Sequence, residues 1–144
     1  MSRMLFVNTH VSDIKSARTF FGALGFTFNE NFCDDATLCM AVNELTWVML
    51  MTAERFRGFI ADDMCDTEKE REVLLCISAE TRADVDRIVD TALAHGGRPW
   101  MQPQDHGFMY GRAFRDPDNH VWEVMWMDPV VAAGERPAET VVST

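Results

Sequence analysis

The spacing of apolar residues switches period along the chain, and each switch marks an element. MLFVNTHV (4–11) is a strand-like run, and Ser12 or Asp13 behind it can cap a helix. Ile14, Ala17, Phe21 and Leu24 then recur at i, i+3, i+7 and i+10, the stripe of an amphipathic helix, and Gly25 stops it. Segments 26–32, 37–42 and 45–51 predict three further strands, the last two a hairpin about Asn43 and Glu44. The order is βαβββ.

That order is written a second time. REVLLCISA (71–79) predicts a strand, Thr81 and Asp84 a capping box, and Val85, Ile88, Val89, Ala92 and Leu93 a helical stripe ended by Gly96 and Gly97. Segment 98–102 predicts a sixth strand, and GFMYGRAFRDPDNHVWEVMWM (107–127) two strands joined by a tight turn. Asp116 opens the turn, Pro117 presets φ, and Asn119 is one of the few non-glycine residues that accept the left-handed conformation. The strand ends repeat as well, Trp47-Val48-Met49 matching Trp122-Glu123-Val124. An α+β fold of two βαβββ modules follows: one domain over 1–128, with module one at 4–52, a linker at 53–71 and module two at 72–128. The linker carries a short helical pattern (Phe56, Phe59, Ile60) and an acidic run, ADDMCDTEKE. Residues 129–144 have no periodicity and read as a loosely held tail, or one packed on a partner subunit.

The period of two puts Val121, Glu123, Met125 and Met127 on one face of the last strand and Trp122, Val124 and Trp126 on the other. Both faces are apolar, so Glu123 needs a metal, an arginine, a hydrogen-bond donor or the water of a cleft. An ion pair to Arg112 and a carboxylate wetted at a cavity mouth are the structural explanations. The functional one is that burial raises its pKa and makes it a general acid or base, the catalytic candidate of the chain.

Composition narrows the partners. With 144 residues, 47% of them hydrophobic, the chain can bury one good core. Thirteen basic against twenty-three acidic residues leave a net charge of −10, which repels phosphate backbones and anionic lipid, so neither nucleic acid nor membrane is expected. The N-terminal apolar run is broken by Asn8 and His10, and no run approaches the roughly 20 residues that span a bilayer, which suggests a cytoplasmic protein. Cys33, Cys39, Cys65 and Cys76 form no CxxC pair and are expected to be reduced, mostly buried thiols.

A doubled βαβββ unit with DPDN leading into VWEV resembles the vicinal oxygen chelate superfamily, which includes glyoxalase I, extradiol dioxygenases and the fosfomycin and bleomycin resistance proteins. The likeness covers residues 4–128, and FVNTHVSDIKSARTFFGALGF, AHGG and the 107–127 run are most similar to the bacterial group of predicted lactoylglutathione lyases. It implies curved mixed sheets around a cavity, formed within one chain or across a homodimer. In metal-using members each module supplies a ligand from its first strand, usually His or Gln, and one from its last, usually Glu. Transferred here, these positions are Phe6, Val48, Leu74 and Glu123, so Glu123 alone survives and no metal is expected. A slipped register that keeps the same face would put Asn8 or His10 in place of Phe6 and Cys76 or Ser78 in place of Leu74, and a His10, Cys76 and Glu123 set would suit zinc. Asn8, His10, Cys76 and Ser78 share the parity of the ligand positions and are expected to line the cavity and orient a ligand. Tyr110, between Gly107 and Gly111 and near His106, is a candidate lid, and Arg112 a candidate ligand contact. The ten methionines fill either an adaptable pocket or an ordinary core. The resemblance thus implies a small-molecule-binding protein with a degenerate metal site. Its alternative is a lactoylglutathione lyase using zinc, nickel or iron, since that chemistry needs a metal to polarise the substrate oxygen.

Overall fold

The computed structural model describes residues 2–139. The chain divides into two compact units, Met1–Glu70 and Arg71–Thr144. Each is an open mixed sheet with a helix packed on one face, giving the α+β fold expected from the repeated pattern.

In the first unit β1 (Leu5–Val11) leads into α1 (Ile14–Ala23), and β2 (Thr27–Phe28), β3 (Thr37–Ala41), β4 (Thr46–Thr52) and α2 (Ala53–Arg57) follow. The sheet order is β1-β4-β3-β2, with β1 parallel to β4 and the other pairs antiparallel. Asp13 makes the helix start, its carboxylate accepting the Lys15 and Ser16 N–H groups at 2.9 and 3.3 Å. α1 buries Ala17, Phe20 and Phe21 against a sheet face on which Leu38 pairs with Leu50 and Met40 with Val48. Segment 26–32 is not one strand. Only two residues pair with β3, because the Asn29 side chain accepts the Asn31 N–H and turns the chain into a 3-10 turn, Glu30–Phe32. Arg18 holds that turn by forking onto Glu30 at 2.5 and 3.1 Å.

The second unit runs β5 (Leu75–Ser78), α3 (Arg82–Ala94), β6 (Arg98–Pro99), β7 (Gln104–Asp105), β8 (Met109–Arg115), β9 (Val121–Met127) and α4 (Pro129–Ala132). Its order, β5-β9-β8-β6 with β7 also on β8, repeats the first topology. The predicted strand at 71–79 is shortened to four residues: Leu75 already faces Trp122, so little of β9 remains for the residues before it. Of the predicted strand at 98–102 only Arg98–Pro99 pairs with β8, and the chain rejoins β8 beyond it at Gln104–Asp105, since Pro99 and Pro103 have no N–H to give a ladder. Thr81 caps α3 by accepting the Asp84 N–H at 3.0 Å. Behind that helix Gly97 is obligatory, because a Cβ there would lie 2.7 Å from the Ala92 carbonyl oxygen. The β8–β9 turn closes as its residues predict, with Asn119 at φ +67° and its N–H on the Asp116 carbonyl at 2.9 Å. The Asp116 carboxylate, 1% exposed, accepts the Asp118 and His120 N–H groups on Oδ1 and the Trp122 indole N–H on Oδ2. Burial pushes this carboxyl above the ordinary range, opposed by His120 and those three donors. Of the predicted tail, 129–132 is helical with Asp128 as its cap and ion-paired to Arg136; residues 140–144 lie outside the described residues.

Candidate functional site

Strand parity assigns every candidate to a face. Val48 and Leu50 of β4 are buried beneath α1, so Trp47, Met49 and Met51 stand on the opposite face, with Asn8 and His10 of β1 and Thr37 and Cys39 of β3 beside them. In the second unit Phe114, Trp122 and Val124 are buried toward α3, leaving Glu123, Met125 and Met127 on the other face with Cys76 and Ser78. The helix caps Asp13 and Thr81 align the modules, so Asn8 corresponds to Cys76 and His10 to Ser78. In the parallel ladders Asn8 faces Met49 and Cys76 faces Glu123. The counterpart of Glu123 is therefore Met49. The sequence match of Trp47 to Trp122, which put Val48 there, is one residue out of register and on the wrong face.

Glu123 is half-buried between Cys76 of β5 and Ala113 of β8. Arg112 does not pair with it. Arg112 faces Val124 across the ladder and points to α3, where its Nη1 donates to Asp86 and Asp90, each at 2.9 Å. Tyr110 is on that same side, its hydroxyl donating to Asp86 at 2.6 Å, so neither the predicted lid nor the predicted Arg112 contact lies on the Glu123 face. The Tyr110 hydroxyl is pushed above its ordinary pKa, first by that bond to Asp86 and then by burial. The loop before Tyr110 is tied down: Asp105 forks onto Arg82 at 2.9 Å twice and accepts the Gly107 N–H, which holds its pKa at about 2. Only Cys39 among the cysteines is buried, and all four are free. Cys76 is exposed at a sheet edge, and its thiol is held above its ordinary pKa by desolvation first and the Glu123 carboxylate second.

A cavity of about 770 Å³ opens on the Met49 face of the first unit. Asn8 of β1 lines it, and His10 sits nearby with its ring 5.5 Å from that of Phe56. Met49 and Met51 line it from β4, Phe32 from the 3-10 turn, and Phe56 and Phe59 from α2 and the residues after it. Its charged pair is Arg55 and Asp34. Arg55 Nη1 reaches both Asp34 oxygens, at 3.1 and 3.0 Å, and Thr37 Oγ1 at 2.6 Å. The Ala36 N–H first and Arg55 second hold the Asp34 carboxyl below its ordinary pKa. Sequence reasoning passed over these residues because it took the Phe56, Phe59, Ile60 stripe for linker. The signal was that stripe, an apolar helical face with an arginine in the same turn, next to strands that needed cover.

The sequence profile of the Glyoxalase/Bleomycin resistance protein/Dioxygenase superfamily matches residues 3–124. The chain belongs to this superfamily. Solved structures agree on the fold. Hypothetical protein SA1046 from S. aureus is 25% identical, with TM-score 0.75 over 88% of this chain and 95% of that one. A glyoxalase/bleomycin resistance protein/dioxygenase family enzyme from Burkholderia phytofirmans PsJN is 17% identical, with TM-score 0.72 over 88% and 99%. The fosfomycin resistance protein FosX from Listeria monocytogenes is 16% identical, with TM-score 0.62 over 88% and 93%. No curated protein sequence matches.

The donor positions that the superfamily implies do not suit a divalent metal in this member. With Met49 in place of Val48 they read Phe6, Met49, Leu74 and Glu123: one carboxylate, one soft thioether and two hydrocarbons, where zinc, nickel or iron needs several N, O or thiolate donors. Among the described residues no group of three or more His, Cys, Asp or Glu side chains could hold a metal ion. No helix among them is long and apolar enough to cross a membrane.

Proposed function

We propose that the protein is a small-molecule-binding member of the superfamily that works without a bound metal, its ligand held in the cavity of the first unit. The ladder register supports this reading by putting Met49 where Glu123 stands in the other module, and the superfamily resemblance adds Phe6 and Leu74, neither of which can bind a hard cation. The cavity supports it, having the size of ordinary ligand sites and a lining that sets Phe, Met and Ile side chains beside polar groups able to orient a ligand. Elemental analysis of untagged protein is the test: zinc, nickel and iron are expected well below one per chain. Stoichiometric metal that disappears on Glu123→Gln would overturn the reading.

A lactoylglutathione lyase is the competing function, favoured by Glu123, a half-buried carboxylate on the sheet face away from α3 and a candidate acid or base there. Folded protein given methylglyoxal and glutathione is expected to show no turnover with any of these ions. Metal-dependent turnover lost in Glu123→Gln would establish the lyase instead.

A cytoplasmic homodimer, with neither nucleic acid nor membrane as partner, completes the proposal. The net charge of −10 and the free thiols support the location and the excluded partners. Self-association is supported by β1 and β5, which are edge strands with Leu5 and Phe6 exposed on one and Leu74 exposed beside the other. Light scattering should give twice the chain mass.

A further inference from the structure

The cavity of the first unit has a chemical asymmetry that narrows what fits it. One wall is aromatic and unusually open: Phe32 is 64% exposed and Phe59 73%, large rings that a folded chain normally covers. Met49 and Met51 of β4 line the same cavity, and their polarizable sulfurs pack well against ring edges. Such walls suit a flat aromatic body, which would cover the two rings and rest on the methionines.

The polar end is set by Arg55. All three of its hydrogen bonds leave from Nη1, two to Asp34 and one to Thr37, so the edge of the guanidinium formed by Nε and Nη2 has no acceptor among the described residues. That edge is a planar pair of N–H donors matched to two oxygens of a carboxylate, sulfonate or phosphate. Asp34 does not use up the cation. It is satisfied in part by the Ala36 N–H at 2.8 Å and its side chain is 56% exposed, so its charge is screened by water. Thr37, nearly buried, fixes the guanidinium from the sheet side and leaves the free edge as the remaining contact.

We propose that this cavity selects planar aromatic compounds bearing one anionic group, with Arg55 recognising the charge and Phe32 and Phe59 covering the ring. The proposal rests on the cavity being the ligand site, and its test separates the two ideas. The probes are 8-anilinonaphthalene-1-sulfonate and N-phenyl-1-naphthylamine, which share an aromatic frame and differ by the sulfonate. Fluorescence titration of the full chain at physiological salt, with near-ultraviolet circular dichroism to show each variant folded, is expected to give one site per chain. The anion should bind about tenfold more tightly than the neutral probe, the scale of one charge-assisted contact.

Arg55→Gln should abolish that preference and leave the neutral probe unchanged. Arg55→Lys, which keeps charge but loses the fork, should fall between and serves if the glutamine variant does not fold. Asp34→Asn separates recognition from structure: with its competitor removed, Arg55 should hold the anion more tightly. Weaker anion binding in both Asp34→Asn and Arg55→Gln would mean the ion pair is merely structural and would overturn the proposal. Equal affinity of the two probes for the wild type would overturn the ligand class and leave the cavity reading standing. No binding of either probe, or binding that Phe59→Ala does not weaken, would sink both.

Discussion

Replacing Asp116 tests whether one buried carboxylate sets the β8–β9 turn. Its Oδ2 is the acceptor for the Trp122 indole N–H at 3.1 Å, and that tryptophan is 2% exposed, so truncation to alanine strands a buried donor at a cost of about 1–3 kcal/mol. The Asp118 and His120 N–H groups, at 2.9 and 3.0 Å from Oδ1, are half-buried and recover water in part, which adds about 1 kcal/mol. Asp116→Ala should therefore destabilise the fold by about 2–4 kcal/mol. Asp116→Asn keeps an oxygen for the two backbone groups but turns an amide N–H toward the indole N–H, so about 1–2 kcal/mol is expected. Both variants remove the same negative charge, which cancels the effect of net charge from the comparison. Urea unfolding followed by tryptophan fluorescence reads the midpoints, taken with the m-values. If the two variants unfold together, or the alanine variant stays within about 0.5 kcal/mol of wild type, the three-donor account of this turn is wrong.

Three further outcomes follow from the structure. The Asp105 carboxyl, with a folded pKa of about 2 against an ordinary 3.8, contributes stability that is present above the ordinary value and lost as pH falls through the folded one. Carboxyl carbon NMR titration should find that low midpoint in the wild type and a return toward 3.8 in Arg82→Gln. Gly97→Ala forces a Cβ against the backbone of Ala92 and Arg115 and should cost about 2–3 kcal/mol, visible as a fall in thermal midpoint; an unchanged midpoint would contradict the close packing. At Asn119, with φ +67°, glycine should be nearly neutral and valine should cost about 1–2 kcal/mol, so equal stability of the two by chemical denaturation would argue against the left-handed turn.

Much of this protein is legible in the order of its residues. The cap at Thr81, the DPDN turn and the α3 stripe are read directly, and the first cap is narrowed to Ser12 or Asp13, because each is an interaction among residues within a few positions of one another. The period of two likewise puts Glu123 on the face opposite Trp122 and Val124, since alternation along a strand needs no partner to define it.

What the tertiary structure decided is pairing. A one-residue offset between Trp47 and Trp122 moves a side chain to the opposite face of a sheet, and only the β1–β4 and β5–β9 ladders show that Met49, not Val48, stands where Glu123 does. Arg112 and Tyr110 face α3 because β8 pairs them with Val124 and Trp126, and there they meet Asp86 and Asp90, acids more than twenty residues earlier that no local pattern brings to them. The cavity arises the same way: Asp34 from the turn before β3, Thr37 from β3 and Arg55 from α2 meet because β3 pairs with β4 and α2 continues from it. Local sequence determines which backbone shapes form and which faces are apolar, since those depend on neighbours along the chain. Which polar groups converge depends on which faces are laid against each other, and that is settled by packing across the fold.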